Sequence, residues 1–179
     1  TLASNVGGTA NRIGAKLIIN GEGGGSDTLI VDETGDGATS LTLDRETVGA
    51  TTYGRLVGLS SLANILYNTV ETLEVNLGNA GNTVQVKSTQ AGTVTTLRTG
   101  TGADSITAGS TLSDATSTVN DLSGALVLDV QGGTDLFRVN DSGDATNNTG
   151  GVLTGTTLSG LGTAGITYSN VETLNIDLG

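Results

Sequence analysis

The chain has no cysteine, proline, methionine, tryptophan or histidine, and only one phenylalanine and three tyrosines in 179 residues. Without cysteine there is no disulfide scaffold and no thiolate metal site. Without histidine and cysteine the commonest general base and the thiol nucleophile are missing. Positive charge is scarce too. Seven lysines and arginines stand against eighteen acidic residues, for a net charge of −11. The basic residues are scattered, so a phosphate backbone finds no cluster to dock on and nucleic acid is not an expected partner. No apolar run approaches the ~20 residues of a membrane-spanning helix, and no span is expected.

What is abundant is glycine, 29 of 179, and threonine, which is commoner still. Threonine and valine favour strands; glycine and asparagine supply turns. Leu, Ile and Val suffice for a core, but a thin one, as suits a narrow stack of strands. The length is that of a single domain, 1–179.

One stretch occurs twice. Residues 67–78 read YNTVETLEVNLG and 168–179 read YSNVETLNIDLG, identical at seven of twelve positions. Apolar and polar residues alternate from 70 to 77 with one slip, which predicts a strand closed by Gly78. A second pair aligns without gaps: GGSDTLIVDETGD at 24–36 on GGTDLFRVNDSGD at 132–144. Gly58-Leu59 aligns on Gly160-Leu161, and the head residues Thr1-Leu2 fall where Thr83-Val84 follows the first copy. Long-range recurrence marks a repeat architecture, and the chain divides into two tandem units, 1–82 and 83–179, of a longer array. The second carries an extra coil near 98–122.

Further strands are predicted at 17–21 (buried), 28–31, 41–43, 83–86, in 93–107 and at 126–130 and 136–139. Leu56, Val57, Leu59, Leu62, Ile65 and Leu66 fit one helical turn or two short strands. Residues 108–123 are polar and loop-like. Short strands joined by Gly-rich turns, without helical periodicity between them, predict an all-β fold: a parallel β-helix, or β-solenoid, with little or no helix. Coils of roughly 20–25 residues would number about eight.

Four turns share one form: 23–29, 78–84, 100–106 and 132–137, each running from glycines through Asp27, Asn82, Asp104 or Asp135 into a strand. The turns at 32–36 and 140–144 are the densest in carboxylate. The simpler reading, and the favoured one, is tight turns that need glycine for the first class and solvated Asx turns for the second. Glu71 and Glu172 hold matching places; pointing outward they are solvated charges, pointing inward they need a hydrogen-bond partner. Tyr67 and Tyr168 are expected at coil corners as packing residues.

The turn form resembles the nonapeptide G-G-x-G-x-D-x-U-x of hemolysin-type calcium-binding repeats, and 24–36 and 165–179 resemble repeats of very large bacterial secreted and surface proteins. Here the copies are dispersed rather than consecutive, and Asn82 replaces an Asp. The resemblance implies stacked loops in which Asp carboxylates and glycine carbonyls enclose calcium, an ion that takes six to eight oxygens. It makes Asp27, Asp32, Asp36, Asp104, Asp135, Asp141 and Asp144 candidate calcium ligands. It further implies an extracellular or cell-surface location, a structural, filament or adhesin role without catalysis, and neighbouring repeats or copies of the chain stacked head-to-tail as partners, with surface glycans as a further candidate. Two alternatives belong to other classes. A carbohydrate-active β-helix of the polysaccharide lyase or hydrolase kind needs paired carboxylates across a lateral groove. An ice-binding solenoid needs Thr-x-Thr ladders, of which 93–95 and 154–156 are out of register.

Overall fold

The structure is a computed structural model that describes residues 8–59, 64–112, 115–146 and 148–179; Thr1, Leu2 and Leu62 lie outside them. Fifteen strands form: β1 (Leu17–Asn20), β2 (Thr28–Asp32), β3 (Ser40–Val48), β4 (Thr51–Val57), β5 (Ile65–Asn68), β6 (Thr72–Asn76), β7 (Thr83–Val86), β8 (Val94–Arg98), β9 (Ser105–Ala108), β10 (Leu126–Asp129), β11 (Leu136–Asp141), β12 (Val152–Leu153), β13 (Thr157–Ser159), β14 (Ile166–Ser169) and β15 (Thr173–Leu178). The fold is all-β. No helix occurs among the described residues, so none is long and apolar enough to cross a membrane.

The strands lie in two mixed sheets. One has the order β1-β5-β4-β3-β7-β9-β11-β15, the other β12-β13-β14-β10-β8-β6-β2. From β6 to β11 the chain crosses to the other sheet at every strand. Each strand then pairs in parallel with the one two places on: β6 with β8, β7 with β9, β8 with β10, β9 with β11. Alternation decides what is buried, because successive side chains face opposite sides of a strand. Leu73 and Val75 of β6, Val84 and Val86 of β7, Leu97 of β8 and Phe137 and Val139 of β11 point into one hydrophobic cluster fed by both sheets. Each such side chain contributes about 1.5–3 kcal/mol by leaving water.

Several expectations are corrected. Pairing is not wholly parallel: β3, β4 and β5 pair antiparallel in sequence, and so do β12, β13 and β14. These hairpins lengthen the chain between levels, so five parallel levels form in each sheet rather than eight short coils. Within 37–66 a long two-stranded hairpin, β3 and β4, forms where a short strand at 41–43 and either a helical turn or two short strands over 56–66 were expected. The apolar residues of 56–66 that are described fall in β4, β5 and the link between them, without a helical turn. The hairpin's polar half is held by ion pairs: Arg55 donates to both oxygens of Asp44 at 2.6 Å and to Glu46 at 3.0 Å, and Lys16 pairs with Glu46. β1 is not a buried strand but an edge strand, with Ile18 exposed. Tyr67 and Tyr168 are not at corners; they sit inside β5 and β14 with their rings buried in the core. The Tyr168 ring lies 6.0 Å from Phe137, tilted at 53°, and its hydroxyl donates to the Thr154 carbonyl at 2.6 Å.

The pairing scheme itself recurs. β1 and β10 pair in parallel with β5 and β14, which continue antiparallel into β4–β3 and β13–β12; β2 and β11 pair in parallel with β6 and β15. The sheets are exchanged between the two sets: β2 and β6 lie in the seven-stranded sheet, β11 and β15 in the eight-stranded one.

Tyr67 depends on Gly54, its register partner in β4, since a Cβ there would come within 2.2 Å of the ring. Gly54→Ala is expected to cost about 1–3 kcal/mol, as overpacking does, read as a lower urea midpoint. Gly14→Ala, where an added methyl meets open space, stays within ~0.5 kcal/mol. Equal midpoints for the two variants would refute the packing role.

Candidate functional site: a buried carboxylate ladder

Five residues immediately precede the five parallel strands of the eight-stranded sheet: Thr39, Asn82, Asp104, Asp135 and Glu172. They are linked in series. The N–H of Thr39 donates to Asn82 Oδ1 at 2.9 Å, that of Asn82 to Asp104 Oδ1 at 2.6 Å, that of Asp104 to Asp135 Oδ1 at 2.8 Å, and that of Asp135 to Glu172 Oε2 at 2.9 Å. The carbonyls of Thr39, Asn82, Asp104 and Asp135 each accept an N–H from the strand start one level on. Every level thus satisfies the backbone of the one before it, as buried N–H groups require. Asp27 repeats the contact in the other sheet, its N–H donating to Glu71 Oε2 at 2.7 Å. Glu71 and Glu172 are therefore exposed yet bonded to a neighbouring level.

The rungs are chemically unequal. The Asn82 amide donates to the carbonyls of Gly78, Ala80 and Thr99 at 2.7–3.0 Å. Asp104 and Asp135 have no such amide. Both are buried, and the Oδ2 of each finds no hydrogen-bond partner among the described residues. Burial raises the Asp135 carboxyl above its usual range; the Asp104 N–H opposes that, and the Asp104 and Glu172 carboxyls add to it.

The acidic turns form a second paired feature. Glu33 accepts the Ala10 N–H at 2.6 Å, and Asp141 accepts the Val119 N–H at 3.1 Å. Asn11 reaches Asp36 as Asn120 reaches Asp144. Thr34 caps Asp32 as Ser142 caps Asn140, each through backbone N–H and hydroxyl. Burial pushes Glu33 up to about 7, against the Ala10 hydrogen bond and with the help of Asp36 and Asp32. Burial raises Asp141 in the same way. The Thr146 hydroxyl and N–H, with Asn148 and Asn120, hold Asp144 down at about 2. Asp141 and Asp144 line a hollow of about 270 Å³, and two carboxyls driven apart in pKa are an arrangement that acid–base chemistry uses. A buried acid and its neighbour recur in the equivalent turn at Glu33 and Asp36.

Of the seven predicted calcium ligands, Asp104 and Asp135 share the ladder. Asp32, Asp36, Asp141 and Asp144 brace the turns, and Asp27 lies at the start of β2. Among the described residues no group of three or more His, Cys, Asp or Glu side chains converges to hold a metal ion. The sequence reading missed Glu33 as a buried group. Its signal was present: Leu29, Val31 and Glu33 continue one inward phase, as do Phe137, Val139 and Asp141. Protein-family models, curated proteins and solved structures give no match to the chain.

Because its folded pKa is raised, Glu33 contributes stability that is complete below its ordinary value and lost as the pH rises through about 7. Asp144, held low, acts oppositely and only towards pH 2. The melting temperature is expected to fall between pH 5 and 8, with a shallower fall in Glu33→Gln. An unchanged slope in the variant would overturn the assignment.

Proposed function

We propose that the chain is a structural repeat module: a two-sheet parallel β-solenoid, one domain of two related units at 1–82 and 83–179, stacked with neighbouring repeats in a large extracellular bacterial surface, filament or adhesin protein. The observation that carries this reading is the N–H-to-side-chain series through Thr39, Asn82, Asp104, Asp135 and Glu172, which spends the entry residue of every level on joining it to the next. Such a chain is an axial scaffold whose stability grows level by level. The cysteine-free, acidic composition and the resemblance of 24–36 and 165–179 to secreted repeat proteins support the location. The reading assigns no reaction to the module.

Two copies joined in tandem are expected to melt in one transition, above the temperature of a single copy, and to scatter as a rod of doubled length. Two independent transitions at the single-copy temperature would refute the stacking role.

Calcium enters as an auxiliary stabiliser. The oxygens that suit it are Asp104 Oδ2 and Asp135 Oδ2, buried and unpartnered on adjacent levels; turn carbonyls must supply the rest of its six to eight ligands. Calcium is expected to raise the melting temperature of the native chain over that in chelator. Asp104→Asn, which imitates Asn82, should melt higher in chelator and lose the response to calcium. A native chain indifferent to calcium would remove the ion from this picture.

A further inference from the structure

The recurring pairing scheme leaves one difference between its two occurrences. β3 and β6 are covered on their outer edges, β3 by β7 (Leu41↔Val84, Leu43↔Val86) and β6 by β8 (Leu73↔Thr95, Val75↔Leu97). Their counterparts, β12 and β15, end their sheets with no strand beyond them among the described residues. The counterparts follow from register. Leu43 pairs with Leu56 and Leu56 with Ile65; Leu153 pairs with Leu158 and Leu158 with Ile166. Leu153 therefore holds the place of Leu43, and by the aligned sequences Leu178 holds that of Leu77. Leu43 and Leu77 are 1% and 3% exposed, whereas Leu153 and Leu178 are 54% and 61% exposed. Between them lies an apolar hollow of about 320 Å³ lined by Val152, Leu153, Leu158, Leu161, Ile176 and Leu178. A free sheet edge beside exposed inward-phase side chains is a template for a further strand.

We infer that this end is a docking site for one strand–turn–strand coil with the chemistry of residues 79–99. Its first strand lies parallel to β12, with its Val86 counterpart beside Leu153. Its second lies parallel to β15, with the Thr95 and Leu97 counterparts beside Leu174 and Ile176. The inference rests on the reading of the chain as a stacking repeat and names what the end stacks on. The β7 and β8 of a second folded copy do not supply this coil, because they are paired on both sides and Val84, Val86 and Leu97 are fully buried. Gly179 also occupies the position from which such a coil starts: a Cβ there would meet the Asp144 carbonyl at 2.4 Å, as one on Gly78 would meet the Asp36 carbonyl at 2.2 Å.

The test compares the chain with one carrying a second copy of residues 79–99 after Gly179, and with the same extension bearing Val84→Asp, Val86→Asp and Leu97→Asp in the appended copy. The plain extension is expected to melt at least about 5 °C higher, bind less of an apolar dye, slow amide exchange across Thr173–Leu178 and remain monomeric. The substituted extension should give none of these. Equal melting, dye binding and exchange in all three chains would overturn the inference. So would an unextended chain that dimerises through this end and is dispersed by Leu153→Asp, although that result would leave the stacking role standing. A tandem of whole copies that melts independently, beside an extension that stabilises, would sink the stacking role and keep the docked coil.

Discussion

Parallel levels lie one strand spacing apart, about 4.8 Å, and the turns joining them must stack at that same interval. The backbones come into direct contact as a result. A Cβ on Gly100 would sit 2.4 Å from the Gly78 carbonyl, one on Gly102 2.4 Å from Ala80, and one on Gly133 1.9 Å from the Gly102 carbonyl. Glycine is required there by the neighbouring level and not only by turn geometry. With side chains barred from those glycine positions, the levels are bridged from other places: by Asn79, whose Oδ1 accepts the Thr101 N–H at 3.2 Å, and above all by the residue at the strand entrance. An Asn or Asp is short enough to accept the preceding level's N–H without leaving the stack.

That solution carries an electrostatic cost. An enclosed carboxylate that accepts hydrogen bonds on one oxygen only, as Asp104 does from the Asn82 N–H and side-chain amide, loses several kcal/mol of hydration, and a string of them adds mutual repulsion. The chain meets the cost differently at each rung. Asn82 avoids charge and turns its second atom into a donor for three carbonyls. Glu172, at the end of the series, remains exposed and keeps its water. Asp104 and Asp135, between them, each retain an oxygen with no hydrogen-bond partner among the described residues. A proton or a hard cation relieves such a pair, and the raised Asp135 carboxyl shows which way the balance tilts. The acidic excess is thus partly internal, set by the need to join levels.

Period-two alternation made β2, β6, β7, β10 and β11 legible, because each has one face in the core and the other towards solvent. The β3–β4 hairpin was not. Its turn, Gly49-Ala50, lacks the Asn-Gly or Asp-Gly signature of tight hairpins. Its far half, Asp44 to Val48, is polar and held by Arg55 and Lys16 rather than by burial. Glycine spacing pointed to Asn82, Asp104 and Asp135, but their serial connection arises only when levels 22 and 31 residues apart are superposed. Glu172 fell outside the turn motif and read as a surface charge. Tyr67 read as a corner because a Gly-rich chain makes corners seem common; Gly54, the space it fills, lies across the sheet and leaves no local trace.

The exchange of sheets bears on how a longer assembly would present itself. Segments related in sequence, 28–32 and 136–141, lie in opposite sheets. Outward residues of equivalent strands then face opposite sides. Arg138 of β11 pairs with Asp177 of β15 on one side of the stack, while the equivalent strands β2 and β6 show Ile30 and Glu74 on the other. The joints between levels are unequal too: the entrance series runs from Thr39 to Glu172 along the eight-stranded sheet, whereas the seven-stranded sheet repeats it only between Asp27 and Glu71 and enters β8, β10 and β14 from Thr93, Ala125 and Gly165.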